Sequence, residues 1–428
     1  MNFDLMHPAD QLVMMMDRIY GFGMTTTTGG NLSVKDSDGN VWITPSGIDK
    51  GNLKRGDIIE VKPDGTVIGP HKPSVELPFH LHIYESRSDI RAILHAHPPA
   101  LVGYAALRKI PDTKIMANVT FTCGDVKQAG YALPGSTKLG DMIAKEFQKG
   151  ASMVMMDNHG VVVGSDNLFQ AFKMFETLDY CARIHINAAP LGKVNALSDE
   201  QLNQYYTRQY PEMEEFYPGE YSSEERHYRR EMCTLILRAY KQQLFTSTQG
   251  TFSRRLSDGS FIITPYGKDR MYLEPEDLVN IRQGRKEYGK RPSRAVKLHQ
   301  AIYDAHPDIM SVAIAHPPNI MAFGVTGQTF DARLIPESYI ALKNVQRLPY
   351  GTNFLNPVKV VDTMSLKQPV AIVENDCVLM VGTGLLNTFD RLEVLEYSAK
   401  SIIAASQLGD IVHISNDEVK EIEVAFNL

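Results

Sequence analysis

Cysteine is scarce in this chain. Cys123, Cys181, Cys233 and Cys377 are scattered over 428 positions, and no two of them form a CxxC pair. They read as reduced, mostly buried thiols, which points to a cytoplasmic protein. Missing too is any apolar run near the ~18 residues that a membrane span needs. The first residues, MNFDLMHPADQ, have no basic stretch followed by an apolar one, so no signal peptide is expected. Nor does one sign of charge dominate: 44 Lys and Arg against 50 Asp and Glu give a net charge of −6, spread along the chain. That argues against general binding of nucleic acid or of an anionic membrane and leaves room only for a small anion pocket.

What is present is the composition of a globular protein. At 428 residues the chain is too long for one ordinary core, so two domains of about 200 residues are expected. Internal similarity supports this. Residues 17–47, DRIYGFGMTTTTGGNLSVKDSDGNVWITPSG, align without a gap with 237–267, LRAYKQQLFTSTQGTFSRRLSDGSFIITPYG. The match continues as KPSVELPFHLHIY (72–84) over RPSRAVKLHQAIY (291–303), AILHAHPP over VAIAHPP, and DNHGVVVG over ENDCVLMVG. Two tandem copies follow. Their expected bounds are 1–200 and 221–428, with the boundary in the polar, tyrosine- and glutamate-rich stretch from about 190 to 222.

Each copy opens on an amphipathic helix, about 9–21 and 223–242, with apolar residues at helical spacing. A hairpin follows, since Asp-Gly between the alternating runs NLSV and VWIT is a turn signal, and IIEVKPDGTVIG is a second of the same kind. LPFHLHIYESR reads as a helix, RAILHAH as a strand, and YALPGSTKLGDMIAKEF as a loop and helix. MVMM and VVVG read as paired strands, and NLFQAFKMFETLDYCARIHINAA as a long helix. Such an order predicts an α/β domain with a largely antiparallel or mixed sheet and helices on both faces.

The stretch 72–99 concentrates the chemistry. Glu76 stands just behind Ser74, which can start a helix. In AILHAHPP, period-2 alternation puts His95 and His97 on one face of a strand, half of a metal site, before two prolines end it. The best candidate for a third ligand is His159, in the turn between MVMM and VVVG. His80 and His82, two apart on a helix, point to nearly opposite sides. The second copy keeps His299 at the His80 position while losing the other chemistry, so packing or a hydrogen bond is the better reading of His80.

Five pieces, GGNLS (29–33), ITPSG (43–47), KPSVELPFHLHIY (72–84), ILHAHPP (93–99) and NHGVVVG (158–164), resemble the class II aldolase/adducin head family in order and spacing. The resemblance implies a three-layer α/β/α domain around a mainly antiparallel sheet, present here as a tandem repeat. It implies that His95, His97 and His159 bind Zn²⁺, or another divalent metal such as Mn²⁺ or Co²⁺. A Lewis acid there would polarise a carbonyl and stabilise the enediolate left when a C–C bond breaks. Glu76 would be the general acid/base. Asn31, Ser46, Gly47 and Ser74 would hold a phosphate, although Val75 replaces a serine that the family usually has. Tyr131 would supply a phenol for proton transfer, and Tyr205, Tyr206, Tyr210 and Tyr350 are weaker candidates of the same kind.

The implied activity is retro-aldol cleavage of a sugar or ketose 1-phosphate. Epimerase, dehydratase or decarboxylase chemistry on the same scaffold and a non-catalytic adducin-like module are the rivals. Family rings suggest a homo-oligomer, with a dimer of two-domain chains arranged as a pseudo-four-fold ring. The second copy has Ala295 for Glu76, Ile314 for His95, Asp376 for His159 and Thr251 for Asn31, and only His316 remains of the triad. It is expected to be non-catalytic. Arg291 and Arg294 fall where its anion loop would be, and a carboxylate or phosphate effector is the ligand they suggest.

Overall fold

The structure, a computed structural model, describes residues 3–426 and 428. The chain separates into two compact units, one of residues 1–113 and 118–183, the other of 114–117 and 184–428. The polar stretch from about 190 to 222, read as a boundary, belongs to the second unit, as do residues 184–189 at the end of the first copy's long helix.

Eight strands form the sheet of the first unit: β1 (Asn31–Lys35), β2 (Val41–Ile43), β3 (Ile59–Val61), β4 (Val67–Ile68), β5 (Ala92–Ala96), β6 (Val126–Ala129), β7 (Met153–Met156) and β8 (Gly160–Ser165). Their order is β4-β3-β2-β1-β5-β8-β7-β6. Every pair is antiparallel except β6 and β7. The two hairpins arise where the sequence puts Asp-Gly, with Gly39 and Gly65 at positive φ. β5 and β7 are buried at every residue, so both faces of the sheet are covered. On one face, helices Leu77–Ser86 and Thr137–Gln148 bring Phe79, Ile83, Leu139, Ile143 and Phe147 onto Ile93, Val154 and Val162. On the other, helix Pro8–Gly21 lies on β1 and β2, burying Leu12, Met15, Met16 and Ile19.

The second unit repeats this plan with nine strands: β9 (Glu215–Phe216), β10 (Thr251–Arg255), β11 (Phe261–Ile263), β12 (Val279–Arg282), β13 (Arg285–Glu287), β14 (Ser311–Ala315), β15 (Gln346–Leu348), β16 (Val370–Val373) and β17 (Cys377–Gly382). Their order is β15-β16-β17-β14-β10-β11-β12-β13-β9. The added edge strand β9 comes from the polar stretch and pairs parallel to β13. Helix Asp199–Tyr206, opened by a capping box on Ser198 and Gln201, also lies in that stretch. Among the described residues no helix is long and apolar enough to cross a membrane.

Candidate functional site

β5 carries the first imidazole into the middle of the sheet. His95 pairs in register with Asn31 on β1 and Val162 on β8, and its side chain is fully buried. The strand stops at Ala96, and His97 follows, its N–H donating to the Met24 carbonyl at 3.2 Å. His159 closes the turn between β7 and β8. That turn passes through Asn158 at φ 53°, a left-handed conformation asparagine tolerates. The three rings meet with centroids 4.5, 4.9 and 5.2 Å apart, and one nitrogen from each lies within 4.8 Å of the others. Among the described residues no other group of three His, Cys, Asp or Glu is drawn together in this way.

Glycine makes the room. A Cβ on Gly160 would stand 2.9 Å from the His97 ring and 2.7 Å from the Ala96 carbonyl. On Gly30, at φ 69°, it would meet the His95 carbonyl at 2.8 Å.

Glu76 caps the start of helix Leu77–Ser86 and turns into the cluster, 5% exposed. Its Oε2 lies 3.2 Å from His95 Nε2 and its Oε1 3.4 Å from His159 Nε2. Behind it runs a chain of hydrogen bonds whose direction the chemistry fixes. Asn31 Nδ2 donates to Glu76 Oε2 at 2.7 Å, so its Oδ1 is left to accept from His80 Nε2 at 2.5 Å. His80 Nδ1 is therefore the acceptor, taking the Ser33 hydroxyl at 2.7 Å, and Ser33 Oγ accepts from the Tyr84 hydroxyl at 2.7 Å. Burial pushes the His80 imidazole down to about 3, which keeps it neutral and able to play both parts. Nothing in the sequence pattern alone linked Ser33, His80 and Tyr84 to Glu76. The retention of Ser253, His299 and Tyr303 in the second copy was the available signal.

The electrostatics favour a cation. Burial pushes the Glu76 carboxyl up, but the charge of nearby His95 and the Asn31 hydrogen bond outweigh it, and it is held well below the usual carboxylate range. Burial works against the His95 imidazolium, yet Glu76 raises it above its ordinary value. His97 is lowered to about 3 and His159 to about 4, by burial first and then by repulsion from His95, so both are neutral at pH 7. His95 Nδ1 donates to the Val161 carbonyl at 3.0 Å, which turns Nε2 toward the cluster. That Nε2, Glu76 Oε1 and His159 Nδ1 are buried without a hydrogen-bond partner. Three convergent imidazoles, two of them neutral, with buried unpartnered nitrogens beside a carboxylate fit a divalent metal ion.

The remaining candidates lie around this cluster in different states. Ser46 is half-buried, and its N–H donates to the Lys72 carbonyl at 2.9 Å, beside the bridge between Pro45 and Pro73 that joins its loop to Ser74. Gly47, at φ 69°, is exposed with open space around it. Ser74 is buried, its hydroxyl accepting the Glu76 N–H at 3.3 Å. Asn31 is committed to Glu76 and His80, which leaves one Nδ2 hydrogen for a further acceptor. Val75 is 64% exposed. Tyr131 is also exposed, on a loop whose Gly135 backs onto the Val75 carbonyl. Tyr205, Tyr210 and Tyr350 are tied into the second unit by bonds with Arg294, the Pro292 carbonyl and the Gln201 carbonyl.

The second unit keeps the scaffold without the cluster. Ser253 meets His299 Nδ1 at 2.7 Å and the Tyr303 hydroxyl at 2.6 Å, as in the first. There the chain ends: Thr251 bonds to Ser293, and His299 Nε2 is buried with no hydrogen-bond partner.

The family described as Class II Aldolase and Adducin N-terminal domain matches residues 10–186 and 230–403. A 5-deoxy-D-ribulose 1-phosphate aldolase from Bacillus thuringiensis is 32% identical over 196 residues, 45% of this chain and 91% of that protein. An L-fuculose phosphate aldolase from Methanocaldococcus jannaschii is 32% identical over 182 residues, 41% of this chain and 93% of that one. A 3-oxo-tetronate 4-phosphate decarboxylase from Haemophilus influenzae is 28% identical over 203 residues, 46% and 96% of the two chains. Among solved structures, an L-fuculose 1-phosphate aldolase is 36% identical, with a TM-score of 0.42, covering 46% of this chain and 92% of its own.

Proposed function

The chain belongs to the Class II Aldolase and Adducin N-terminal domain family, and on that premise we propose that its first unit is a cytoplasmic, metal-dependent lyase cleaving a ketose 1-phosphate by retro-aldol chemistry. The observation that carries this reading is the convergence of three histidines on one point with Glu76 turned toward the same point. His95, His97 and His159 are the ligands of a divalent ion, Zn²⁺ in the first instance with Mn²⁺ or Co²⁺ as substitutes. Such an ion supplies Lewis-acid polarisation of the substrate's carbonyl and hydroxyl oxygens.

The chain's own residues do the rest. Glu76, a carboxylate at rest, takes up a proton from solvent and delivers it to the carbon that loses its C–C bond, returning to the carboxylate that Asn31 holds in place. His80 fixes Asn31 in turn, as a positioning residue. Tyr131, on the loop against Val75, accepts the hydroxyl proton as the aldehyde leaves while passing its own phenol proton to solvent. Ser46, Gly47, Ser74 and the spare Asn31 hydrogen receive the phosphate. The active assembly is a homo-oligomer, a dimer of two-unit chains in pseudo-four-fold arrangement, and equilibrium sedimentation measures its mass. The second unit carries no lyase site.

Decarboxylation of a phosphorylated 3-oxo acid is the second reading, supported by similarity to the Haemophilus influenzae enzyme. It breaks a C–C bond beside a carbonyl and leaves the electron pair on the same carbon. Product analysis separates the two, since one releases an aldehyde and the other CO₂. The deciding experiment is metal analysis of purified protein with Glu76→Gln alongside wild type. One ion per chain in both, with turnover lower by about 10²–10⁴-fold in the variant, is expected. Protein that takes up no ion, or unchanged turnover, overturns the proposal.

A further inference from the structure

The site lost from the second unit has been replaced by something else. A cavity of about 410 Å³ opens between the end of the 204–211 segment, the start of helix Val296–Ala305 and residues 353–357. Ala295, at the position of Glu76, lines it, so the substitution that removed a carboxylate also removed a negative charge from this wall. Three cations from two segments line it as well: Arg208, Arg294 and Lys297. Ala295 caps the helix and offers no side-chain acceptor, so the positive end of a ten-residue helix faces the same space.

The two guanidiniums are held but not neutralised. Arg294 donates to the Tyr205 hydroxyl at 2.5 Å and lies over that ring at 5.0 Å. Arg208 stacks on Phe354 at 4.9 Å, and among the described residues its hydrogen-bond contact is the Arg294 carbonyl at 3.5 Å. Neither makes an ion pair among the described residues. Asp376 is the acidic group near both, and it is turned to Asn353 Nδ2 at 2.8 Å. Arg291 stands apart, stacked on Tyr210 and Tyr266.

We propose that this cavity is a binding site for a phosphate monoester of sugar-phosphate size, distinct from the lyase site of the first unit. Planar guanidiniums with free N–H groups take phosphate oxygens in pairs. Arg208, Arg294 and Lys297 less Asp376 leave a local charge of +2, which matches a phosphate monoester of about −1.5 to −2 better than a single carboxylate. The volume lies within the ~300–1,000 Å³ range of small-molecule sites.

Calorimetric titration of the full chain with glycerol 3-phosphate, and separately with glycerate, tests this. The expected result is a site that survives Ser46→Ala with Ser74→Ala, weakens at least about tenfold in Arg208→Gln and in Arg294→Gln, and prefers glycerol 3-phosphate. Lys297→Gln, on an exposed side chain that cannot unfold the unit, weakens it about two- to threefold and flattens its salt dependence. Full affinity in Arg208→Gln and Lys297→Gln, loss in the Ser46/Ser74 variant alone, or equal binding of glycerate overturns the proposal. The readout is heat of binding, so a failure of the lyase reading leaves this test intact.

Discussion

Replacing Asn31 with threonine copies into the first unit what the second unit already has at Thr251. The change removes a hydrogen bond from a neutral amide to the ionised Glu76, worth about 1.5–3 kcal/mol. It also strips His80 Nε2–H of its acceptor inside the core, a cost of about 1–3 kcal/mol when nothing replaces it. The second unit tolerates this arrangement, with His299 Nε2 buried and unpartnered, so the net loss belongs at the lower end of the two together, about 2.5 kcal/mol. For a unit of this size that corresponds to a fall in Tm of about 5–10 °C. The functional effect is larger than the structural one. A carboxylate free to swing by about 1 Å costs on the order of 10²-fold in turnover. Metal content should stay near wild type, because the three histidines keep their own supports, such as the bond from His95 to the Val161 carbonyl, while KM should rise with the loss of the Asn31 hydrogen offered to the phosphate. Steady-state kinetics, plasma emission metal analysis and calorimetry on one preparation give all three quantities. Unchanged kcat, or loss of the ion with the amide, would refute the role assigned to the hydrogen-bond chain.

Gly160→Ala places a methyl 2.9 Å from the His97 ring and 2.7 Å from a backbone oxygen, so metal affinity should fall at least about tenfold in a chelator competition. Added Zn²⁺ at about a hundred times its Kd should stabilise the first unit by about 2.7 kcal/mol, and no shift should be seen in His97→Ala. Lys50 is 1% exposed, and burial lowers its amine to about 8. Its folded value lies below the unfolded one, so the unfolded chain holds more protons between about pH 8 and 10.5 and stability rises through that window. Below pH 8 the buried charge costs about 3 kcal/mol. Lys50→Met should therefore flatten that stretch of the urea-midpoint profile relative to wild type, and an unaltered slope contradicts the burial argument.

The tandem repeat, both hairpins of the first unit and its long helices were legible in the sequence because each rests on a local signal: Asp-Gly turns, helical spacing, proline after a strand. Elements without such a signal were not read. β6 is four residues long, and only its parallel pairing with β7 identifies it as part of the sheet. Helix Pro99–Ala106 follows two prolines directly and is apolar on most sides, which hides its period. Helix Asp199–Tyr206 and β9 sit in a stretch whose polarity suggested a linker, and their partners lie far along the chain.

By itself the sequence determined which residue types can carry chemistry and which copy keeps them. His95, His97, His159 and Glu76 stand in the first copy, and the second has an isoleucine, a lone histidine, an aspartate and an alanine in their places. Spacing cannot say that a residue on β1, one at a helix cap and one in the turn after β7 share a single point. Sheet register decided that, by setting Asn31 opposite His95 and His95 opposite Val162. Tertiary structure alone also showed the Asn31 amide joining Glu76 to His80, and Arg208 reaching the cavity beside Arg294, since both depend on contacts between residues tens of positions apart.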